Sequence, residues 1–498
     1  MNNVSISALY DCLKTLYMPC ELLITAKQRI TMAPKSIQCD KDAYQPHTGL
    51  ILMNLDRPTD RRAFLSAGSA ALTGLTLPDL LQAESHSAAS SQSNRSVIIL
   101  WMRGGPSQHE TWDPKPDAPV EYRGAFGATN TSVPGIQIVD MMPQCASIQH
   151  KWSIIRSLHH KNAGHSAGDQ IVFTGYDPGP DPTINVHPSC GSIVSEQLGH
   201  TRKELPAYVM VPRQVPGTDS AYLGPAHKPF ETIADPATKG SFNLQNFTLS
   251  EQISNSRFQD RKGLLREFDK LKGKLDSSGQ MDSLNTFQQR AYDILQSDNA
   301  RNAFDIDSED STTRERYGFV EKYDPMDPTR CSASAFNQRF LLARRLIEAG
   351  VRLVTVDCRW WDTHIEGIDS MKNGFLPRWD QAYSALIDDL DHRGLLESTM
   401  VLAWGEFGRT PKVNGSNGRD HYPFVFSAAI TGGAIKGGRA VGSSDAKGAY
   451  PKDNPITPQD VLATLYDHLG IDTDRHYIDH FGRPIKALPF GRKLTELM

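Results

Sequence analysis

Apolar and polar positions along the chain fall into two regimes, short apolar runs and longer amphipathic stretches. The runs at 96–102, 152–158, 207–211, 351–356 and 400–404 are short and mostly apolar, which predicts buried strands. Phe336, Phe340, Leu341, Ala343, Leu346 and Ile347 recur at helical spacing up to Gly350. Leu376, Trp379, Tyr383, Leu386 and Leu390 do the same up to Gly394. Ile171, Val172 and Phe173 before Thr174-Gly175 predict a helix closed by a glycine. Another starts at Thr457-Pro458-Gln459-Asp460, with Thr457 as N-cap, Pro458 at the first position and Leu462, Leu465 and Leu469 facing inward. Gly432, Gly433, Gly437, Gly438 and Gly442 predict turns around a β-hairpin. Buried strands alternating with helices over short turns predict an α/β fold with a mostly parallel sheet covered on both faces. From about 240 to 330 the pattern changes: Phe258, Leu264, Leu265, Phe268, Leu271 and Leu275 keep helical spacing among many charges, which predicts a helical insert packed on one side of the core.

Each apolar run stops at a burst of polar groups. The run at 400–404 ends at Gly405 and delivers Glu406, Arg409, Thr410, Arg419, Asp420 and His421. A polar surface loop would explain any one of them. Their density, between glycines that permit close backbone approach, predicts a site at the carboxyl edge of an open sheet. The run at 96–102 leads through Arg103-Gly104-Gly105-Pro106 to Ser107, His109 and Glu110. The run at 152–158 leads to His159, His160, Asn162, His165 and Ser166. Three histidines so close together each need a partner or titrate near neutrality, which points to metal or anion chemistry. His165 and Ser166 fall at the positive N-terminal end of the expected helix, suited to an anionic substrate. The run at 351–356 delivers Asp357, Trp360, Trp361, Asp362, Thr363 and His364, so Asp362, His364 and Glu406 share one sheet edge.

With 498 residues, 22% charged and a formal net charge of -4, the composition is that of an ordinary globular protein. This balance gives no electrostatic case for nucleic acid, and no stretch of eighteen apolar residues offers a membrane span in the mature chain. The N-terminus differs. Arg61-Arg62, then Phe64-Leu65 and a mildly apolar run to residue 83, follow the pattern of a twin-arginine export signal. We expect residues 53–94 to be that signal and a linker, with translation starting at Met53 and residues 1–52 untranslated or disordered. The mature protein is then periplasmic or extracellular. Cys12, Cys20 and Cys39 lie in that leading stretch, while Cys145, Cys190, Cys331 and Cys358 are far apart without CxxC spacing. Free buried thiols are expected rather than a zinc ribbon or a disulfide framework.

Five segments taken in order, GGPSQHETWDPKP, HHKNAGHSAGDQIVFTGY, EAGVRLVTVDCRWWDTH, VLAWGEFGRTP and GRDHYP, closely resemble the bacterial DUF1501 family, over roughly residues 95–490. Members of that family are exported, often by twin-arginine signals, are abundant in planctomycetes, and are grouped by fold with the alkaline phosphatase–sulfatase superfamily. The resemblance implies an alkaline-phosphatase-like three-layer α/β/α sandwich, a single domain over residues 95–498. The superfamily carries a metal-bound nucleophile at a helix start, nine residues before a Thr-Gly pair, and counting back from Thr174-Gly175 reaches His165 with Ser166 beside it. Either His165 is nucleophile or ligand, or Ser166 is the nucleophile.

The superfamily's aspartate and histidine on an intervening strand resemble Asp362 and His364, and its last histidine resembles His421. Its Asp-His-Gly reads here Glu406-Phe407-Gly408. The implied metal site is therefore Asp362, His364, Glu406 and His421, suited to zinc or manganese, with calcium as a third candidate. Where the superfamily ends its first strand in a metal aspartate, this chain reads Met102-Arg103-Gly104, so a second site depends on Ser107, His109 or Glu110. The expected function is an exported metal-dependent hydrolase of phosphate or sulfate esters. Arg409 or Arg419 would neutralise developing charge, and His160, Asn162 and Asp420 would join Arg419 in binding the anionic ester. The alternative is a non-catalytic exported binding or scaffold protein on a degenerate phosphatase-like fold, favoured by the missing aspartate and histidine. The oligomeric state is left open by the sequence.

Overall fold

The structure, a computed structural model, describes residues 95–237, 242, 297–319 and 335–498. The expected signal and linker, the leading 52 residues and the amphipathic run from Phe258 to Leu275 lie outside the described residues. The main sheet holds eight strands: β1 Ser96–Trp101, β2 Ser153–Leu158, β3 Tyr208–Val211, β4 Phe230–Glu231, β5 Leu353–Asp357, β6 Thr399–Trp404, β7 Phe426–Thr431 and β8 Ala440–Val441. They are ordered β8-β2-β7-β6-β1-β5-β3-β4. Strand β1 is central, with parallel neighbours on both sides, Val97 opposite Leu353 on β5 and Met400 on β6. Only β7 runs against its neighbours β2 and β6.

Side-chain alternation explains why these strands are apolar throughout. Val97, Ile99 and Trp101 of β1, with Met400, Leu402 and Trp404 of β6, face one layer, while Ile98, Leu100, Val401 and Ala403 face the other. The first layer is filled from α1 His165–Thr174, α2 Cys190–Leu198 and, later in the chain, α7 Pro458–Leu469, through Phe173, Ile193, Val461 and Leu465. The second is filled from α3 Asp298–Phe304, α4 Ser311–Tyr317, α5 Asn337–Ala349 and α6 Leu376–His392, through Phe304, Tyr317, Phe340 and Leu386. Each fully buried side chain of this kind contributes roughly 1.5–3 kcal/mol. The architecture is a three-layer α/β/α sandwich on a mostly parallel sheet. Of the expected insert, residues 297–319 carry α3 and α4.

The local signals act as their chemistry dictates. Helix α7 opens on a capping box, Thr457 accepting from the Asp460 N–H while the Asp460 carboxylate accepts from the Thr457 N–H, and Gly470 closes it in the left-handed region. Helix α1 ends on Gly175 in the same way. Strand β7 is not among the runs singled out in the sequence, and its Ser427 and Thr431 are buried as completely as their apolar neighbours. The glycines that follow do make turns, yet Ala440–Val441 joins the main sheet beside β2. The hairpin forms further on, between Ser443–Ser444 and Pro451–Asp453.

The one reversed strand matters for the site. Because β7 is antiparallel, it starts where β2 and β6 end, with Phe426 paired to Leu158. The residues just before β7, including His421, therefore lie at the same edge as the residues just after β1, β5 and β6.

Candidate metal centre

Segments leaving these strands are locked together by their backbones. The loop after β5 continues along the loop after β1, with the Cys358 N–H donating to Trp101 O and the Trp361 N–H to Arg103 O, both at 2.8 Å. Gly104 and Gly105 have φ of +109° and +82°, and a Cβ on either would meet the Trp361 and Asp362 amides or the Phe407 ring at 2.5 Å. Only glycine tolerates both the conformation and the approach. Past β6, Gly408–Arg409 pairs with His421–Tyr422, Arg409 opposite His421. Gly168 of α1 packs against Glu406, its missing Cβ 3.0 Å from that of Glu406, so the helix start comes close to the end of β6.

Three histidines converge on Asp362. His364 Nε2 and His421 Nε2 each lie 3.0 Å from Asp362 Oδ1, and His165 Nε2 lies 3.4 Å from Oδ2. The two Nε2 atoms of His364 and His421 are 3.0 Å apart. At the far side of each ring, Nδ1 meets an acceptor: Glu406 Oε1 at 2.6 Å for His165, Asp420 Oδ1 at 2.6 Å for His364 and the Ala163 carbonyl at 2.8 Å for His421. A carboxylate or carbonyl can only accept, so all three Nδ1 atoms carry the proton. In the neutral rings every Nε2 then presents a lone pair to the carboxylate. That arrangement requires positive charge at its centre, either protons on Nε2 or a metal ion.

Electrostatics agrees. Burial alone would lower the His165 pKa, but its bonds to Asp362 and Glu406 carry it up to about 9. The bond to Asp362 likewise raises His364. Burial would raise Asp362, yet the three imidazoles and the Arg409 guanidinium hold it far below the usual carboxylate range. His165, Asp362 and His421 offer ligand atoms that all lie within 4.8 Å of one another. Two bonds of about 2.1 Å to one ion span roughly 4 Å, so the spread suits a single cation. The nitrogen-rich donor set fits zinc or manganese better than calcium.

The other candidates divide. Glu406 is fully buried, accepts from the Gly104 N–H at 2.8 and 3.1 Å through its two oxygens, and holds His165 Nδ1. It stands behind His165 in the manner of an orienting carboxylate. Asp420 stands behind His364 in the same way. His160 Nε2 donates to the Glu406 carbonyl, and Asn162 Oδ1 accepts from the Gly164 N–H at 2.9 Å, so both shape the approach to α1. Ser166 is the second residue of α1, half-buried next to His165.

Arg409 is fully buried, with Nη2 on Asp362 Oδ1 at 2.7 Å and its remaining nitrogens on the carbonyls of Gly105 and Arg419. Ser107 and Glu110 join Arg419 in a buried network, and His109 is buried beside it with its own partner. Arg419 binds both Glu110 oxygens, Ser107 Oγ donates to Glu110, and His109 Nε2 donates to the Lys447 carbonyl at 2.9 Å. Burial would raise the Glu110 pKa, but Arg419 holds it below its ordinary value.

Sequence reasoning passed over a further group beside His165. Arg103 Nε donates to Asp169 Oδ2 at 2.9 Å, and its guanidinium lies 4.5 Å from the centre of the Trp360 ring. That ring meets the His165 imidazole edge-on at 5.4 Å. Burial, and then the Glu406 carboxylate, push the Asp169 carboxyl above its ordinary range against the pull of Arg103. The available signal was the placement of Arg103 and Trp360 just past two adjacent strands.

No curated protein matches the chain. Among solved structures it is similar to the lipoteichoic acid synthase LtaP from Listeria monocytogenes, at 9% identity over 77% of this chain and 74% of that one, TM-score 0.33. It is also similar to the phosphonate monoester hydrolase SpPMH from Silicibacter pomeroyi, at 9% identity over 80% and 74%, TM-score 0.32. BT1596, a 2-O GAG sulfatase, aligns at 12% identity over 81% and 74%, TM-score 0.33. The family described as "Protein of unknown function (DUF1501)" matches residues 94–498. Matched over all but its leading residues, the chain belongs to the DUF1501 family.

Proposed function

We propose that the protein is an exported, metal-dependent hydrolase of phosphate or sulfate esters, with its metal held by Asp362, His364, His421 and His165. The carrying observation is that three imidazoles, each fixed at Nδ1 by its own acceptor, turn Nε2 toward one carboxylate. A divalent ion supplies Lewis-acid polarisation of an ester oxygen and a lowered pKa for an attacking oxygen. Glu406 and Asp420 orient His165 and His364 and make their Nε2 atoms more basic. Arg409 fixes the Asp362 carboxylate from behind and keeps it ionised. Ser166 Oγ is the candidate nucleophile of the chain itself, at a helix N-terminus whose free N–H groups favour an anion.

The scaffold reading draws on Phe407, which is buried and packs as an apolar wall 4.5 Å from the His421 ring and 5.2 Å from His165, with one ligand cluster found among the described residues. Hydrolysis separates the two readings. A panel of phospho- and sulfoesters is offered to the protein with zinc or manganese, with and without chelator. The hydrolase reading expects turnover that chelation abolishes and that Asp362→Asn lowers by more than about a hundredfold. A metal-loaded protein inert to every ester leaves the scaffold reading standing.

A further inference from the structure

We propose that Arg103 is the anion-recognition residue of this site, its Nη1–Nη2 edge binding the non-bridging oxygens of the substrate's phosphate or sulfate group. The inference rests on the ester-hydrolase reading for its substrate class, and on geometry for the residue.

The two arginines that sequence spacing singles out are already committed. Arg409 is fully buried and donates from Nε to Gly105 O at 2.8 Å, from Nη1 to Arg419 O at 3.1 Å and from Nη2 to Asp362 and Gly104 O. Arg419, 1% exposed, spends Nε and Nη2 on Glu110, Nη2 also on Tyr122 O, and Nη1 on the carbonyls of Thr410 and Pro411. Arg419 has spent all five N–H groups and Arg409 four of its five, the fifth on a fully buried Nη1, so neither presents an open pair of donors to an oxyanion.

Arg103 is the opposite case. It is held from the side, Nε on Asp169 and the guanidinium plane over Trp360, while neither Nη makes a hydrogen bond to any described residue. Neither Nη is among the buried polar atoms cut off from solvent, although the residue as a whole is only 7% exposed. A long cationic side chain is thus immobilised by a fully buried carboxylate and an aromatic face, with its bidentate edge left open. That edge has the geometry that matches phosphate or sulfate oxygens in pairs. Its position is fixed relative to the metal ligands. Trp360 carries Arg103 on its ring and His165 at its edge, Asp169 lies one helical turn beyond His165 on α1, and the neighbouring Gly104 N–H binds Glu406. The guanidinium supplies fixed positive charge beside the metal ligands, where the chain has no second ligand cluster among the described residues.

Calorimetric titration of inorganic phosphate and of sulfate tests this, using the mature protein with wild-type sequence, Arg103→Gln and Arg103→Lys, each with metal content measured alongside. Removing a bidentate charged contact is expected to weaken the anion at least about tenfold in Arg103→Gln, with metal stoichiometry unchanged. Arg103→Lys keeps the charge without the fork and falls between the two. With an ester substrate the loss appears in KM for binding, and in kcat as well if the contact tightens in the transition state. The assignment is overturned if phosphate and sulfate bind Arg103→Gln as tightly as wild type, if wild type binds neither, or if Arg103→Gln loses the metal together with the anion. Should the glutamine variant fail to fold, the lysine variant decides, since unchanged anion affinity there contradicts a role for the fork. A protein without metal that still loses phosphate through Arg103→Gln keeps this assignment and removes the metal reading. Metal retained with phosphate affinity unmoved does the reverse.

Discussion

At the scale of single residues, ligand and support are told apart by which ring nitrogen or carboxylate face is already occupied. Glu406 looks like a ligand in the sequence because it follows a strand in a glycine-framed turn. In the structure both its oxygens take the Gly104 N–H and one takes His165 Nδ1, the position of a support behind a proposed ligand. Asp420 and the Ala163 carbonyl do the same for His364 and His421. Supports of this kind contribute tenfold to a hundredfold in metal affinity. Glu406→Gln keeps the shape and an acceptor for Gly104. Competition with a chromogenic chelator should therefore show binding weakened by roughly that factor and still measurable. Metal binding abolished outright would return Glu406 to the ligand set.

At the scale of elements, the strands and long helices were legible because burial on two faces leaves an unbroken apolar run and burial on one leaves a stripe. Capping chemistry was legible too, since Thr457 and Asp460 satisfy each other locally. Strand β7 was not. Its place depends on fitting between β2 and β6, and nothing local in Phe426–Thr431 states that. The same strand brings His421 to the site, so the sequence supplied the histidine and the topology supplied its address. Asp362, His364 and His421 were readable as polar groups past strands, and the structure brings them together with His165. Arg103 and its pairing with Asp169 were not readable, because the contact joins the end of β1 to the middle of α1. Arg409 and Arg419 stand out in the sequence for the complementary reason: only packing reveals that neither guanidinium has an open pair of donors.

At the scale of the whole molecule, no helix among the described residues is long and apolar enough to cross a membrane. Stability should depend on acid through two histidines away from the metal centre. Burial, and then the charge of Arg419, lower His109 to about 4, and burial lowers His468 to about 4. His468 Nε2 lies 3.0 Å from Ser96 O at the start of the central strand. Both pKa values are depressed from 6.5, so between 6.5 and 4 the unfolded chain binds protons that the folded chain refuses. Their contribution is complete above pH 6.5 and is lost as pH falls toward 4, on the order of 3 kcal/mol for each. Denaturant midpoints followed from pH 7 to pH 4 should fall, and less steeply in His468→Gln. A flat profile in wild type contradicts the assignment.

The central claim is that positive charge between Asp362 and the three Nε2 atoms is a metal ion and not protons. Elemental analysis of the mature protein, after equilibration with zinc and with manganese and removal of loosely bound ions, tests it most directly. The account predicts close to one divalent ion per chain in wild type and loss of that ion in both Asp362→Asn and His421→Ala. Wild-type protein without stoichiometric metal, or variants that retain it in full, would contradict the account.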